Sequence, residues 1–462
     1  MRHISIFILL LVAGSLASCE KFLEREQAGT IPADQVLVDE KGVQGLLNGA
    51  YINLANNLYG GRLQFISDLM GDQANGILYT EDFGEIYKRK TSIFGAYKND
   101  FYRNAYYIIS QANKALENLD KTSTNRSFIE GQAKFLRAIV HFEMVRLFAQ
   151  PYGFTPDNNH PGIPLRLQSS VTPGDRATVK QVYDAIITDL MAADGLLPPA
   201  PPVGYPSKWV AKAFLAKVFF QQNNFQQAFN YSNEVIESNE FFLDDSYDYR
   251  FSLDAGGAGT EEGIFVIRNV PNVLSPGGEL RDRYRSDGTN FQAQSDFHVT
   301  DLYYNQATQS NDLRRFWYEK NAAGYNMITK YNLNQFDLPI VHLTEMVLIR
   351  AESGAELGGA SLAIAIDDIN EILTRAYGGT SQNLSASASA ALVISTTRTQ
   401  REFEMIAEGN RLQEIKRIGA RSGVNIDRRG SLWNCPGLVL QFPNGEQSAN
   451  TSFLMNPEGG CL

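Results

Sequence analysis

The residues of this 462-residue chain best suited to holding a small molecule lie in two stretches that keep no helical period. Between 60 and 96 stand Asp72, Asn75, Tyr79, Phe83 and Tyr87; between 241 and 338 stand Tyr284, Arg285, Asn290, Trp317 and Tyr318. Flat rings stack on sugar faces, and amides, carboxylates and guanidinium groups read hydroxyls and peptide groups by hydrogen bonding. Long irregular insertions of this kind usually carry function in a helical protein. The alternative for each ring is packing against its own loop. Covalent chemistry has less to work with. No nucleophile elbow or phosphate-binding loop is present. His141, His160, His298 and His342 are scattered without ligand spacing, so no metal or other cofactor is expected. The acidic run from Asp244 to Asp248 lacks the later glycine and glutamate of a calcium loop and reads as a solvated turn. Paired carboxylates such as Glu81/Asp82 or Asp296/Asp301 keep a hydrolase of the same ligand open as a second function.

The elements that must position these loops are helical. Gly131 to Phe148 carries Phe135, Leu136, Ile139, Val140, Phe142, Met144, Leu147 and Phe148 over more than half the helical wheel, which predicts a central scaffold helix covered from several sides. Glu143 and Arg146 fall inside that apolar arc three residues apart and read as an ion pair fixing the helix among its neighbours. Helical spacing recurs over 33–58, 100–119 and 178–197. In 208–238, Ala216 and Ala228 flank a turn at Asn223-Asn224, the spacing of a tetratricopeptide-type hairpin, and Ala351, Gly358 and Ala363 repeat it. The expected fold is mostly α: about four tetratricopeptide-like helical pairs, with scaffold at about 33–58, 100–240 and 339–420. Loop-rich insertions lie at about 60–96 and 241–338, a tail at 421–462, and there is little strand beyond 262–270. Arg398 to Ile418 is expected as a charged helix pair whose Arg and Glu residues form interhelical ion pairs rather than a ligand clamp, and Ser385 to Ala391 as a surface loop.

The chain is 44% hydrophobic and 20% charged with net charge -10, which suits a large globular protein and argues against a nucleic-acid partner. Residues 1–18 read as an export signal: a basic start, a short apolar run, then Leu16-Ala17-Ser18 before Cys19. A run that short does not span a bilayer. Cysteines other than Cys19 are limited to Cys435 and Cys461, and in an exported protein a bridge between them is possible, as are two free thiols.

Several segments resemble the SusD/RagB family of outer-membrane nutrient-binding lipoproteins of Bacteroidota. Leu16 to Cys19 resembles a lipobox, which makes Cys19 the lipidation site and the new N-terminus; Glu20 and Glu24 are compatible with surface export. FLRAIVHFEMVRLFAQPYG resembles the family's FLRA helix, and RATVKQVYDAIITDLMAA its next helix. Arg401, Glu404, Glu408, Gly409 and Arg411 are similar to its ER-x-x-E-x-x-x-EG-x-R signature, with Asn410 where many members carry His. The resemblance spans the mature chain, 19–462, as one domain. It implies a non-enzymatic protein, lipid-anchored and surface-displayed on the outer membrane, capturing an oligosaccharide or oligopeptide for a SusC-like TonB-dependent transporter. It also implies that loops of both irregular stretches form the binding face, which selects Asp72, Asn75, Tyr79, Tyr284 and Trp317 as candidate ligand-binding residues. A helical-repeat scaffold without a small ligand is the remaining alternative.

Overall fold

The computed structural model describes residues 37–76, 81–170, 172–247, 260–268, 278–286, 297–333 and 336–461. Cys19, Tyr79, Asp248, Asn290 and Asp296 lie outside these. Four antiparallel helical pairs form the scaffold. They are α1 (Glu40–Leu54) with α4 (Ala96–Glu117), α5 (Arg126–Phe148) with α6 (Val179–Leu196), α7 (Lys208–Gln221) with α8 (Phe225–Ile236), and α11 (Leu343–Leu357) with α12 (Ala360–Tyr377). Between the first two of these elements run α2 (Arg62–Met70) and α3 (Glu81–Tyr87). The helix α13 (Ala390–Glu404) packs on α11, and α14 (Arg411–Ser422) reaches α2.

The predicted central helix is α5, where residues of every side are buried, from Phe135 and Leu136 to His141 and Glu143. Arg146 pairs with Glu143, which also accepts the Tyr59 hydroxyl at 2.9 Å. Local chemistry sets the helix starts. Thr178 and Gln181 close a reciprocal capping box on α6, and Asp39 caps α1.

Close helix approach is real in the later hairpin, but its register differs from the sequence reading. Ala363 is exposed, whereas Ala365 is buried. A Cβ on Gly354 would stand 2.7 Å from the Ser361 carbonyl oxygen and 3.2 Å from Ala365 Cβ. The turn at Gly358 and Gly359, with φ of 70° and 57°, moves the facing small pair to Gly354 and Ala365.

The irregular stretches hold more structure than their composition suggests. The strand read at 262–270 is β1 (Gly263–Ile267), antiparallel to β4 (Leu338–His342). A short hairpin joins β2 (Tyr318–Lys320) to β3 (Asn326–Ile328). The helix α10 (Asp301–Thr308) begins just after an extended stretch in which Val299 bridges to Ala74. A short helix of about two turns, α9 (Gly278–Tyr284), completes this region. Cys435 and Cys461 form a disulfide with Cα atoms 5.5 Å apart, tying the tail to the body. Among the described residues no helix is long and apolar enough to cross a membrane.

Candidate functional site

The two irregular stretches meet, and the signature segment after α13 is where they meet. Gly409 carries φ of 76°, and a Cβ there would sit 2.9 Å from Gln64 Cα in α2, so both conformation and space require glycine. Its N–H donates to Asp68 Oδ1 at 3.0 Å, and Asp68 Oδ2 accepts the Tyr284 hydroxyl at 2.7 Å. Burial pushes the Asp68 carboxyl up to about 7 against those stabilising hydrogen bonds. Arg411 forks onto Asp72 at 2.7 and 2.9 Å. Burial opposes ionisation of Asp72, yet the Arg411 pair and the Arg428 N–H hold its carboxyl below the usual range. Glu408 accepts from Lys330 Nζ at 2.8 Å and lies 3.0 Å from His342 Nε2. Glu404 accepts the Tyr247 hydroxyl at 2.9 Å and Arg314 Nη1 at 3.1 Å. Four of the five signature positions thus knot the two irregular stretches to the scaffold.

On that knot rests an open cleft of about 490 Å³, lined by Asp245, Tyr247, Phe316, Trp317, Lys330 and Asn332 among others. Its aromatic edge is built by the 3₁₀ turn Leu313–Trp317. Asp312 caps the turn by accepting the Arg314 N–H at 2.8 Å. Thr329 then clamps its end, the N–H donating to the Trp317 carbonyl and Oγ1 to that of Phe316, both at 2.8 Å. Adjacent residues of so tight a turn point about 120° apart. Phe316 therefore stands outward, 67% exposed, while Trp317 turns inward and is only 6% exposed. Trp317 is held edge-on by Tyr247 at 4.9 Å and by Lys330 Nζ 4.0 Å from its ring centre. Leu313 and Leu333 extend the exposed apolar rim. Asp245 provides a carboxylate beside the rings, while the Asn332 amide there is fixed by Ser286. A flat exposed ring with polar groups at its edge can stack a pyranose face and read its hydroxyls.

Of the described residues selected from sequence, only Trp317 lines this cleft. Tyr284 is fully buried, packed among Phe65, Phe297 and Tyr331, so its ring has no face to offer a ligand. Asp72 is spent on Arg411 and the Tyr303 hydroxyl. Asn75 is half-buried next to the Ala74–Val299 bridge, its N–H bonded to the His298 carbonyl at 2.6 Å. Tyr79 lies outside the described residues. Phe83 packs edge-on against Phe65 and Tyr97, and Tyr318 is buried. The residue missed is Phe316. Its neighbour drew the attention, although an aromatic after two arginines in a short turn is the kind of residue that stays exposed. The acidic run from Asp244 is solvated only in part: Asp245 is exposed, whereas buried Asp244 accepts the Glu261 N–H and the Thr260 hydroxyl. Among the described residues no cluster of three His, Cys, Asp or Glu side chains could hold a metal.

Comparison with known proteins bears on the same architecture. A family of SusD-like proteins described as "Starch-binding associating with outer membrane" matches residues 21–220, and the SusD family matches 217–453. SusD-like protein P2 of Formosa agariphila is 28% identical over 284 residues, covering 59% of this chain and about half, 54%, of that relative. SusD-like protein P25 of the same organism is 22% identical, covering 94% of this chain and 93% of the relative. Among solved structures, a SusD superfamily protein from Bacteroides vulgatus superposes with a TM-score of 0.76 at 21% identity, covering 90% of this chain and 98% of the other. Surface glycan-binding protein A from Bacteroides uniformis gives 0.73 at 19%, covering 90% and 99%. At these identities the structural matches speak for the fold.

Proposed function

Given that the chain belongs to the SusD family, we propose that it is an outer-membrane surface lipoprotein that captures an oligosaccharide in the Phe316–Trp317 cleft and passes it to a SusC-like TonB-dependent transporter. Family membership and a glycan-binding structural neighbour support carbohydrate binding at the outer membrane without turnover. Capture in this cleft, lipidation at Cys19 and delivery to a transporter are our reading. The observation that carries it is the exposed Phe316 ring, backed by a fixed tryptophan and bordered by Asp245 and Asn332. Such a face is preorganised: the turn is capped, the tryptophan is pinned, and a ligand orders little on binding.

Calorimetry on the chain from Glu20 onward, titrated with a panel of neutral and acidic oligosaccharides and of oligopeptides, tests the proposal. Saturable oligosaccharide binding, weakened by Phe316→Ala and with no new products in the mixture, is the expected result. Hydrolysis products would replace capture by catalysis. Binding indifferent to Phe316 and Trp317 would move the site elsewhere.

A further inference from the structure

A second cleft lies away from the aromatic turn, between α13 and α14, with about 520 Å³ of space. Its walls are rich in arginine and glutamate, as the sequence from 398 to 417 foretells, and nearly all of these are paired. Arg411 and Arg428 share Glu402, at 2.8 and 2.7 Å. Arg398 donates to Glu352 at 2.8 Å, and Glu414 takes Arg417 at 2.9 Å.

Arg401 breaks the pattern. It lines the cleft and is only 3% exposed, yet its Nε and Nη2 have no hydrogen-bond partner among the described residues. The nearest carboxylate, Glu345, stands 3.8 Å from Nη1 and is already served by Lys217 at 2.8 Å. The guanidinium lies over the Phe220 ring at 4.9 Å, which offers a cation–π contact but no acceptor. A buried guanidinium with unmade hydrogen bonds is costly and calls for an acceptor. On the same cleft, Gln73 is 2% exposed and its Oε1 is also unpartnered, while its amide is anchored on the carbonyl of Glu402, the residue next to Arg401. The cleft wall thus holds, just beneath its surface, a fork of donors bearing positive charge and a neutral acceptor, beside apolar lining that includes Ile394 and Ile418.

We propose that this cleft is a second ligand site, for a carboxylate flanked by hydroxyls, as in a uronic acid. The carboxylate accepts from Arg401 Nε and Nη2, and a ring hydroxyl donates to Gln73 Oε1. A planar fork against a carboxylate is the geometry in which arginine is selective over a neutral hydroxyl. Ring carbons cover Ile394 and Ile418. Neutral sugars offer Arg401 Nε and Nη2 no anionic acceptor and bind here weakly.

The full chain is titrated with glucuronate and galacturonate and, for comparison, with glucose, and the variants Arg401→Gln, Ser395→Trp and Phe316→Ala are carried in parallel. Ser395 is exposed at the mouth of the second cleft, so a tryptophan there blocks entry without entering the core. Expected is saturable uronate binding that survives Phe316→Ala and falls at least about tenfold in Arg401→Gln and in Ser395→Trp, as the loss of one charge-assisted hydrogen-bonded pair requires. Thermal melting separates a folding failure of Arg401→Gln from loss of the site, and Ser395→Trp stands independently of it. Absence of saturation by either uronate overturns the proposal and leaves Arg401 to buried water. Uronate binding that ignores Ser395→Trp but disappears with Phe316→Ala also overturns it, placing the acid in the aromatic cleft. Failure of the capture reading alone would show as uronate binding with no oligosaccharide dependence on Phe316.

Discussion

Replacing Phe316 by alanine separates a binding surface from a packing feature, because its neighbour Trp317 has the opposite burial. A phenylalanine side chain carries roughly 200 Å², and Phe316 keeps 67% of its surface in water. A stacked pyranose covers about half of that exposed area, some 65 Å², and at about 25 cal/mol/Å² its burial contributes roughly 1.5 kcal/mol. Phe316→Ala should therefore raise Kd about tenfold. The melting temperature should barely move, since the ring leaves no cavity behind. Trp317→Ala should do the reverse first: with 6% exposure the indole makes little direct contact, but its removal should cost about 3–5 kcal/mol of stability and loosen Tyr247 and Lys330. Calorimetry and thermal unfolding on the two variants, side by side, read both quantities. A Kd for Phe316→Ala within about twofold of the parent, at full occupancy, would refute the stacking argument. So would a loss of stability in Phe316→Ala equal to that of Trp317→Ala.

The knot beneath the cleft gives three further expectations. Burial raises the Asp68 carboxyl to about 7 from 3.8, so this group contributes stability below pH 4 that is lost as pH rises through 7. Asn at this position can still serve Gly409 and Tyr284. Urea unfolding should therefore find the parent losing about 3 kcal/mol relative to Asp68→Asn between roughly pH 5 and pH 8, and parallel curves would contradict the burial argument. Gly409→Ala meets both a positive φ and the Gln64 backbone, and should lower stability by about 2–3 kcal/mol in the same assay; a neutral variant would mean the α2 contact yields freely. Cys435→Ser opens a bridge with a sequence separation of 26, for which loop entropy predicts a loss of about 3 kcal/mol, measured against the oxidised parent and expected to vanish when both are compared under reductant.

The helical pairs were legible because their apolar periods are long and uninterrupted. The period of α5 is carried by large side chains, and α6 begins at a Thr/Gln box that is visible in the letters. Nine-residue α2 was read as loop for a physical reason. Its buried face includes Gln64, Ser67 and Asp68, so polar residues that find partners 5 to 341 positions away erase the hydrophobic period. The same blindness misplaced Tyr284 and Asp72. Both are residue types that bind ligands, and nothing local reveals that one is capped by Asp68 and the other forked by Arg411. Trp317 was found by type, and Phe316 was missed because exposure depends on the pitch of a turn fixed by Asp312 and Thr329.

The signature residues Glu404, Glu408, Gly409 and Arg411 then acquire a physical meaning. They are buried or nearly so, and together they reach Tyr247, the 313–333 segment through Arg314 and Lys330, and the end of α2 through Asp68 and Asp72. An apolar plug of equal volume would hold those segments at least as firmly, since buried ion pairs gain little net stability. What it would not do is choose one register. Directional pairs that are costly to leave half-made penalise every alternative seating of the loops. A cleft whose Tyr247 comes from one such segment and whose Trp317 and Lys330 come from another needs that selection more than it needs stability. We hypothesise that Glu404→Leu, which leaves buried Arg314 and Arg375 half-paired, would cost about 3–5 kcal/mol of stability, broaden the amide signals of the 313–333 segment and weaken oligosaccharide binding. Sharp signals with unchanged affinity would sink that view and return the network to simple packing.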